Sequence, residues 1–287
     1  MTNEIKKYPF KPGLKLEFEI FDLTERIETY GNMMAEPHRA QFYHILWIEK
    51  GKGTHYIDFS PIQIQDNTIL FIPMNSVNRY DIDGLYEGKA ILFTDSFFCK
   101  NQQDFRFLNS SMLFSDIYPI TKFNISNNTS ELRAFLNGME TEYLRKNDSE
   151  QYSILHNMLH IFLLQSEREI RKQGTNVLKQ SAELDNLLLF KELLEKNFRK
   201  EKLVKRYANE LNISEKLLHK ATTQLIDKTP KQVIDERILL ETKRLLVHSN
   251  LSIKEIAYDL GFEEPTNFIK YFRKHTNMTP AEFREQK

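Results

Sequence analysis

Between Leu14 and Phe98, apolar residues gather in short β-rich runs: FYHILWI at 42–48, THYIDF at 54–59 and NTILFIP at 67–73, broken by GKG at 51–53 and by Pro61, Pro73 and Gly84. Ile, Tyr, Phe and Thr suit a pleated, half-buried surface. Closely spaced runs of them between turn residues predict a small barrel or sandwich. From about Thr129 the period becomes helical. SELRAFLNGMETEYL and QYSILHNMLHIFLLQSEREI read as two helices separated by the polar KNDSE at 146–150. The second holds apolar residues at 154, 155, 158, 159, 161 and 162, a stripe too broad for a helix standing alone in water. It packs either on its own barrel or against a second chain. QGTN at 173–176 is the candidate linker. Beyond it the pattern predicts helices over 184–197, 203–211, 214–226, 230–248, 252–260, 265–275 and 280–285.

Several of these helices announce their own starts. Thr229-Pro230-Lys231-Gln232 and Thr279-Pro280-Ala281-Glu282 place Thr at the N-cap, Pro at the first helical position and an amide or carboxylate two residues later; Ser252 and Glu255 form a further capping box. Two such similar signals suggest a repeat. A shift of 50 residues sets Leu218 on Phe268, Lys220 on Lys270, Asp227 on Asn277 and Thr229-Pro230 on Thr279-Pro280. With a shift of 49, Ala208 and Leu211 fall on Ala257 and Leu260. Each copy is a short helix, a tight turn, a second helix, a stop suited to positive φ at Asp227 or Asn277, and a Thr-Pro restart: a helix-turn-helix followed by a packing helix.

In the second copy Phe268 and Phe272 are four apart and lie on one stripe, leaving Thr266, Asn267, Lys270, Arg273 and Lys274 facing outward. A DNA major groove admits one such helix. Two of them, separated by the helix PKQVIDERILLETKRLL at about 1.5 Å per residue, would reach successive grooves about 34 Å apart.

Residues 181–287 resemble the DNA-binding domain of the AraC/XylS family of bacterial transcription regulators. The resemblance rests on SIKEIAYDLGF (252–262), on ERILLETKRLL (236–246), and on the spacing of Phe268, Phe272, Thr279-Pro280 and Phe283-Arg284. The first unit departs from the family pattern, with Thr222 where an aromatic is usual and Asp227 where Gly is usual. The resemblance implies DNA-facing positions at Lys216, His219 and Lys220 in the first unit and at Thr266, Asn267 and Lys270 in the second. Gln224, Arg273 and Lys274 fall at the phosphates or the groove rim. Asn can pair bidentately with adenine, Lys can donate to guanine, and helix N-termini bind phosphate. Glu263 and Glu264 read as acidic complements to the helix dipole before Pro265.

Upstream, PHRAQFYHILWIEKGKGTHYIDFSP (37–61) and DNTILFIPMNSVNRY (66–80) resemble the cupin-like barrel that precedes the DNA-binding part in many members of the same family. The implied fold is α+β: a cupin-like effector-sensing barrel over 1–120, a helical linker and dimerisation segment over 121–175, and an all-α domain with two helix-turn-helix motifs over 176–287. The implied partners are double-stranded DNA, a small-molecule effector and a second copy of the chain, with RNA polymerase a further one. Candidate effector-binding residues are Arg39, Tyr43, His44, Trp47 and Tyr56, polar or aromatic groups on predicted strands. The main rival reading is a cupin enzyme. Its metal motif needs His-x-His and a later His, but here the chain reads His38-Arg39-Ala40 and Pro73-Met74-Asn75-Ser76-Val77-Asn78. Too few imidazoles remain for a nitrogen-rich metal site, so no metal, cofactor or catalytic residue is expected. A regulator whose barrel binds no ligand and serves only assembly is the other alternative.

Charge and composition change this picture little. The chain of 287 residues has zero formal net charge, and 40% of it is hydrophobic. Residues 1–120 hold 12 Lys and Arg against 16 Asp and Glu, whereas 181–287 hold 20 against 17, so the excess of base lies where the DNA contacts are expected. A single cysteine, Cys99, excludes an internal disulfide and fits a reducing cytoplasm. No apolar run approaches the roughly 20 residues of a membrane span.

Overall fold

The computed structural model describes residues 5–10, 16–81, 83–114, 120–124, 130–146, 148–172 and 181–286; the candidate linker at 173–176 lies outside them. The chain forms two compact units, one of residues 6–177 and the other of 178–287 with 1–5.

The first unit runs β1 (Lys6–Tyr8), β2 (Phe18–Asp22), α1 (Leu23–Met34), β3 (His38–Ala40), β4 (Tyr43–Ile57), β5 (Ser60–Ile64), β6 (Thr68–Ile72), β7 (Val77–Arg79), β8 (Leu85–Phe93), α2 (Asp95–Phe98), α3 (Gln102–Ser110), β9 (Lys122–Asn124), α4 (Ser130–Tyr143) and α5 (Gln151–Lys172). Its strands curl into a half-barrel around β4. The first half of β4 pairs antiparallel with β6 and β8, and the second half with β5 and β7; β1 joins β3 in parallel. The β4–β8 register slips between Ile48 and Lys50, a bulge that bends the strand from one part of the sheet to the other. Opposite the bulge stands Gly88 at φ 143°, where an added Cβ would fall 2.1 Å from the Trp47 carbonyl oxygen. Only glycine fits there.

Strand alternation divides the side chains of this sheet between two layers. Tyr43, Ile45 and Trp47 join Ile69, Phe71, Ile91 and Phe93 in one core, closed by Leu136 and Met139 of α4 and by Leu155, Leu159 and Phe162 of α5. On the concave face, Leu46, Ile48 and Ile57 pack with Leu70, Ile72, Tyr80, Tyr86 and Leu23 of α1. The two helices predicted between 129 and 170 thus share a core with the barrel strands. That packing accounts for only part of the α5 stripe, because Ile154 and Ile161 remain exposed, with Asn157, Leu164 and Arg168 exposed along the same side.

The described residues of the second unit form helices joined by short connections: α6 (Ala182–Asn197), α7 (Val204–Glu210), α8 (Glu215–Ile226), α9 (Pro230–His248), α10 (Ile253–Asp259), α11 (Pro265–Thr276) and α12 (Pro280–Glu285). Each corresponds to a predicted helix, with ends differing by one or two residues. Thr229, Ser252 and Thr279 all close reciprocal capping boxes, with Gln232, Glu255 and Glu282 as partners. Such caps satisfy backbone N–H groups that would otherwise be orphaned, each worth about 1 kcal/mol. Asp227 and Asn277 end α8 and α11 at φ 52° and 59°, the left-handed stops expected from the repeat. Glu264 occupies the N-cap of α11 without a side-chain hydrogen bond, so its contribution there is charge alone.

Candidate DNA interface and ligand-binding face

Helices α8 and α11 are the second helices of the two helix-turn-helix motifs, and each is fastened by one face. In α11, Phe268 and Phe272 are fully buried, with Phe262 5.3 Å from Phe268 and Phe283 5.6 Å from Phe272, centroid to centroid. The Tyr271 hydroxyl donates to Asp235 of α9 at 2.8 Å, a second tether. In α8 the corresponding stripe is Leu218, Ala221 and Thr222, all buried. Thr222 fills its site without an aromatic ring by turning its hydroxyl onto the His219 carbonyl at 3.3 Å, inside its own helix.

The opposite faces are open. Lys216, His219, Lys220 and Gln224 on α8 are exposed, as are Thr266, Asn267, Lys270, Arg273 and Lys274 on α11. The nine sequence-selected positions therefore form two polar surfaces, one per motif. The surfaces differ in how their cations are paired. Lys220 is engaged by Glu183 in the first turn of α6, at 2.6 Å. Its ammonium lowers the half-buried Glu183 carboxyl from its ordinary value, chiefly through this hydrogen bond. Lys270 and Lys274 form no ion pair among the described residues, while Arg273 lies within the electrostatic reach of Glu282. Sequence reading missed Leu217, an exposed apolar side chain beside Lys216 on α8. Apolar groups of this kind meet thymine methyls in a groove.

On the half-barrel the five candidate effector residues separate. Tyr43 and Trp47 lie in the core beneath α4 and α5, while His44 alternates onto the concave face. Arg39 pairs with Val77 while its neighbour His38 pairs with Asn78, so Arg39 projects from the other face of β3. The half-buried Tyr56 is covered by the Arg79 guanidinium, 4.1 Å from its ring centroid. Of the five, only His44 joins the polar group that the concave face assembles, with His38, His55 and Asn78.

That group is buried and short of partners. Among the described residues, Nδ1 of His44, both ring nitrogens of His55 and both amide atoms of Asn78 have no hydrogen-bond partner. The His55 ring stands edge-on to Tyr80 at 4.5 Å and 6.2 Å from Tyr86. Burial, with weaker repulsion from His38, depresses both His44 and His55 to about 3, so both rings are neutral at physiological pH. An uncharged array of donors and acceptors inside an apolar shell is suited to a polar, uncharged small molecule or to ordered water. The sequence signal for this group was present in part: Asn78 stands where a cupin enzyme would place a histidine, and His55 lies one strand away.

A curled sheet with a polar concave face, followed by a tandem pair of helix-turn-helix motifs with open polar helices, defines a two-part class: ligand-binding module plus DNA-binding module. Comparison with known families agrees. The AraC-like ligand binding domain matches residues 25–162, and the helix-turn-helix domain matches residues 207–286. The chain belongs to the AraC-type proteins, DNA-binding transcription regulators with an N-terminal ligand-binding domain. Among its relatives, the HTH-type transcriptional activator RhaS of Salmonella schwarzengrund is 25% identical over 257 residues, covering 86% of this chain and 87% of its own length. RhaS of Shigella dysenteriae serotype 1 is 25% identical over 254 residues with the same coverage. Among solved structures, ToxT of Vibrio cholerae with an unsaturated fatty acid bound is 16% identical, covers 94% of this chain and 91% of its own, and superposes with a TM-score of 0.41.

Proposed function

We propose that this regulator reads a two-part operator through α8 and α11, and that occupancy of the half-barrel by a small molecule controls that reading. Lys216, His219 and Lys220 would contact one part and Thr266, Asn267 and Lys270 the other; Gln224, Arg273 and Lys274 would touch phosphates or the groove rim. The observation carrying this reading is that all nine side chains are exposed while the other face of each helix is buried. The test is Lys270→Ala in a binding assay on DNA selected from a random pool. A base-reading lysine gives a loss of about 1–3 kcal/mol concentrated at one operator position. A uniform, salt-sensitive weakening assigns Lys270 to a phosphate instead.

The division of labour proposed is sensing by residues 1–120, dimerisation by 121–175 and DNA binding by 176–287. On the sensing side, the unpartnered His44, His55 and Asn78 atoms favour an uncharged, hydrogen-bonding effector on the concave face. The effector acts by binding one DNA-engaged state better than another. Arg39, Tyr43, Trp47 and Tyr56 would then act through packing around the site. Thermal unfolding of the purified protein with metabolite pools tests this, and the absence of any shift leaves the half-barrel as an assembly module. For the dimer, exposed Ile154, Asn157, Ile161, Leu164 and Arg168 recur on α5 at alternating steps of three and four, the seam spacing of paired helices, and a second copy of the chain would cover them. The protein is read as cytoplasmic and non-enzymatic, with RNA polymerase as the further partner. No helix among the described residues is long and apolar enough to cross a membrane.

A further inference from the structure

Between α6 and α7 the chain passes through Phe198, Arg199 and Lys202, residues with no place in the DNA surface or the concave face. They reach from the first helix-turn-helix motif to the second. Arg199 pairs with Glu241 at 2.8 Å and with Asp259 at the end of α10. Lys202 Nζ donates to the Gly261 carbonyl at 3.0 Å and sits 4.7 Å from the Phe262 ring centroid. Gly261, in the turn of the second motif, has φ 71°, and an added Cβ would lie 1.9 Å from the Arg199 carbonyl oxygen, so the two backbones are in contact. Glu241, midway along α9, is fully buried and also receives Arg237 and Arg244 at 3.3 Å each. Arg237 completes the arrangement by stacking 3.9 Å over Phe198 and pairing with Glu195 of α6.

We infer that residues 198–202, locked by Glu241, form a strap that fixes the spacing and rotational phase of the two reading helices. Helix α9 is the covalent link between the motifs, and side chains of the second motif also fasten to it, Tyr271 of α11 to Asp235 and Arg284 of α12 to the Leu246 carbonyl. The strap adds a further connection, independent of these, from the end of α6 to the α10 turn. A buried carboxylate shared by three guanidinium groups adds little net stability, since desolvation offsets much of the Coulomb gain, but it tolerates few geometries. Its effect is to select one arrangement of the motifs. Arg199, Lys202, Glu241 and Gly261 are positioning residues: they set where α8 and α11 stand without touching DNA.

The inference rests on the two-part reading proposed above, and its test separates the two. In a Cys99→Ser background, spin labels are attached through Glu210→Cys on α7 and Ala281→Cys on α12, both exposed positions outside the DNA surface. Electron–electron double resonance then reads the distance between the motifs in the full chain without DNA. The expected result is one narrow distance peak in the parent and loss of that peak to a broad distribution in Arg199→Met and in Lys202→Met, with helical content retained. Lys202→Met keeps the apolar stem over Phe262 and serves if Arg199→Met fails to fold. An unchanged narrow peak in a folded variant overturns the strap. In a second arm, selection from random duplex DNA should return two submotifs at one spacing for the parent and the same submotifs at several spacings for the variants. A parent that selects a single submotif refutes the two-part reading, while the distance measurement still judges the strap.

Discussion

The concave face makes a quantitative claim about acid. His44 and His55 are neutral in the folded protein down to about pH 3, but near 6.5 in the unfolded chain. Above pH 6.5 both states hold neutral rings and nothing is lost. As pH falls below 6.5 the unfolded chain takes up protons that the folded rings refuse, so stability declines steadily until about pH 3. Between pH 7 and pH 5 each ring costs about 2 kcal/mol, and the pair about 4 kcal/mol. Burial holds His38 below its ordinary value too, which adds in the same direction. Burial also lowers His160, which adds in the same direction, and raises Asp95, which opposes it, while carboxylates with ordinary values titrate below this window. Trp47, the only tryptophan, lies in the half-barrel core, and its fluorescence reports that unit's unfolding in urea. With a urea dependence of about 2 kcal/mol per molar, the midpoint should fall by about 2 M from pH 7 to pH 5. His55→Phe, compatible with the Tyr80 and Tyr86 rings, should remove about half of that fall. A midpoint that stays level across the window in the parent would refute the argument, because the rings would then be gaining protons in place.

Three further outcomes follow from the packing and the charges. Phe272→Ala opens a hole under α11 and should cost about 3–5 kcal/mol in thermal unfolding, with DNA binding lost alongside. Glu183→Gln releases Lys220 from its surface ion pair, and because such pairs are weak in water, DNA affinity should rise by no more than a few-fold while its salt dependence steepens. Unaltered affinity and slope would mean Lys220 takes no part in binding. Ile161→Asp charges the outward stripe of α5 and should convert a dimer to monomer in sedimentation while leaving the Trp47 unfolding midpoint within about 0.5 kcal/mol of the parent.

Much of the second unit was legible because its signals are local. Thr229, Ser252 and Thr279 sit within three residues of the groups they cap, and Asp227 and Asn277 are recognisable stops for steric reasons. The buried and open faces of α11 follow from the four-residue spacing of Phe268 and Phe272. The half-barrel was legible only as a class of fold. Tyr43, His44 and Trp47 are near neighbours in sequence, yet one points opposite to the other two, and which layer is concave depends on strand pairing that spans dozens of residues. Glu241 was hidden for a related reason. A glutamate in the charged run ERILLETKRLL reads as solvated surface, and only the return of Arg199 from 42 residues away reveals it as a buried anchor.

Glu49, at the irregular step in β4, has a consequence beyond bending the sheet. His44 and His55 are an odd number of positions apart, so on an unbroken ribbon they would face in opposite directions. The extra residue resets the count and lets one continuous strand contribute both imidazoles to the same cup. Were the same residues paired in unbroken register, everything from Lys50 to Ile57 would turn over, sending His55 out of the cup and drawing Tyr56 inward; excising Glu49 instead would straighten the strand yet leave the two imidazoles an even number of positions apart, still on one face.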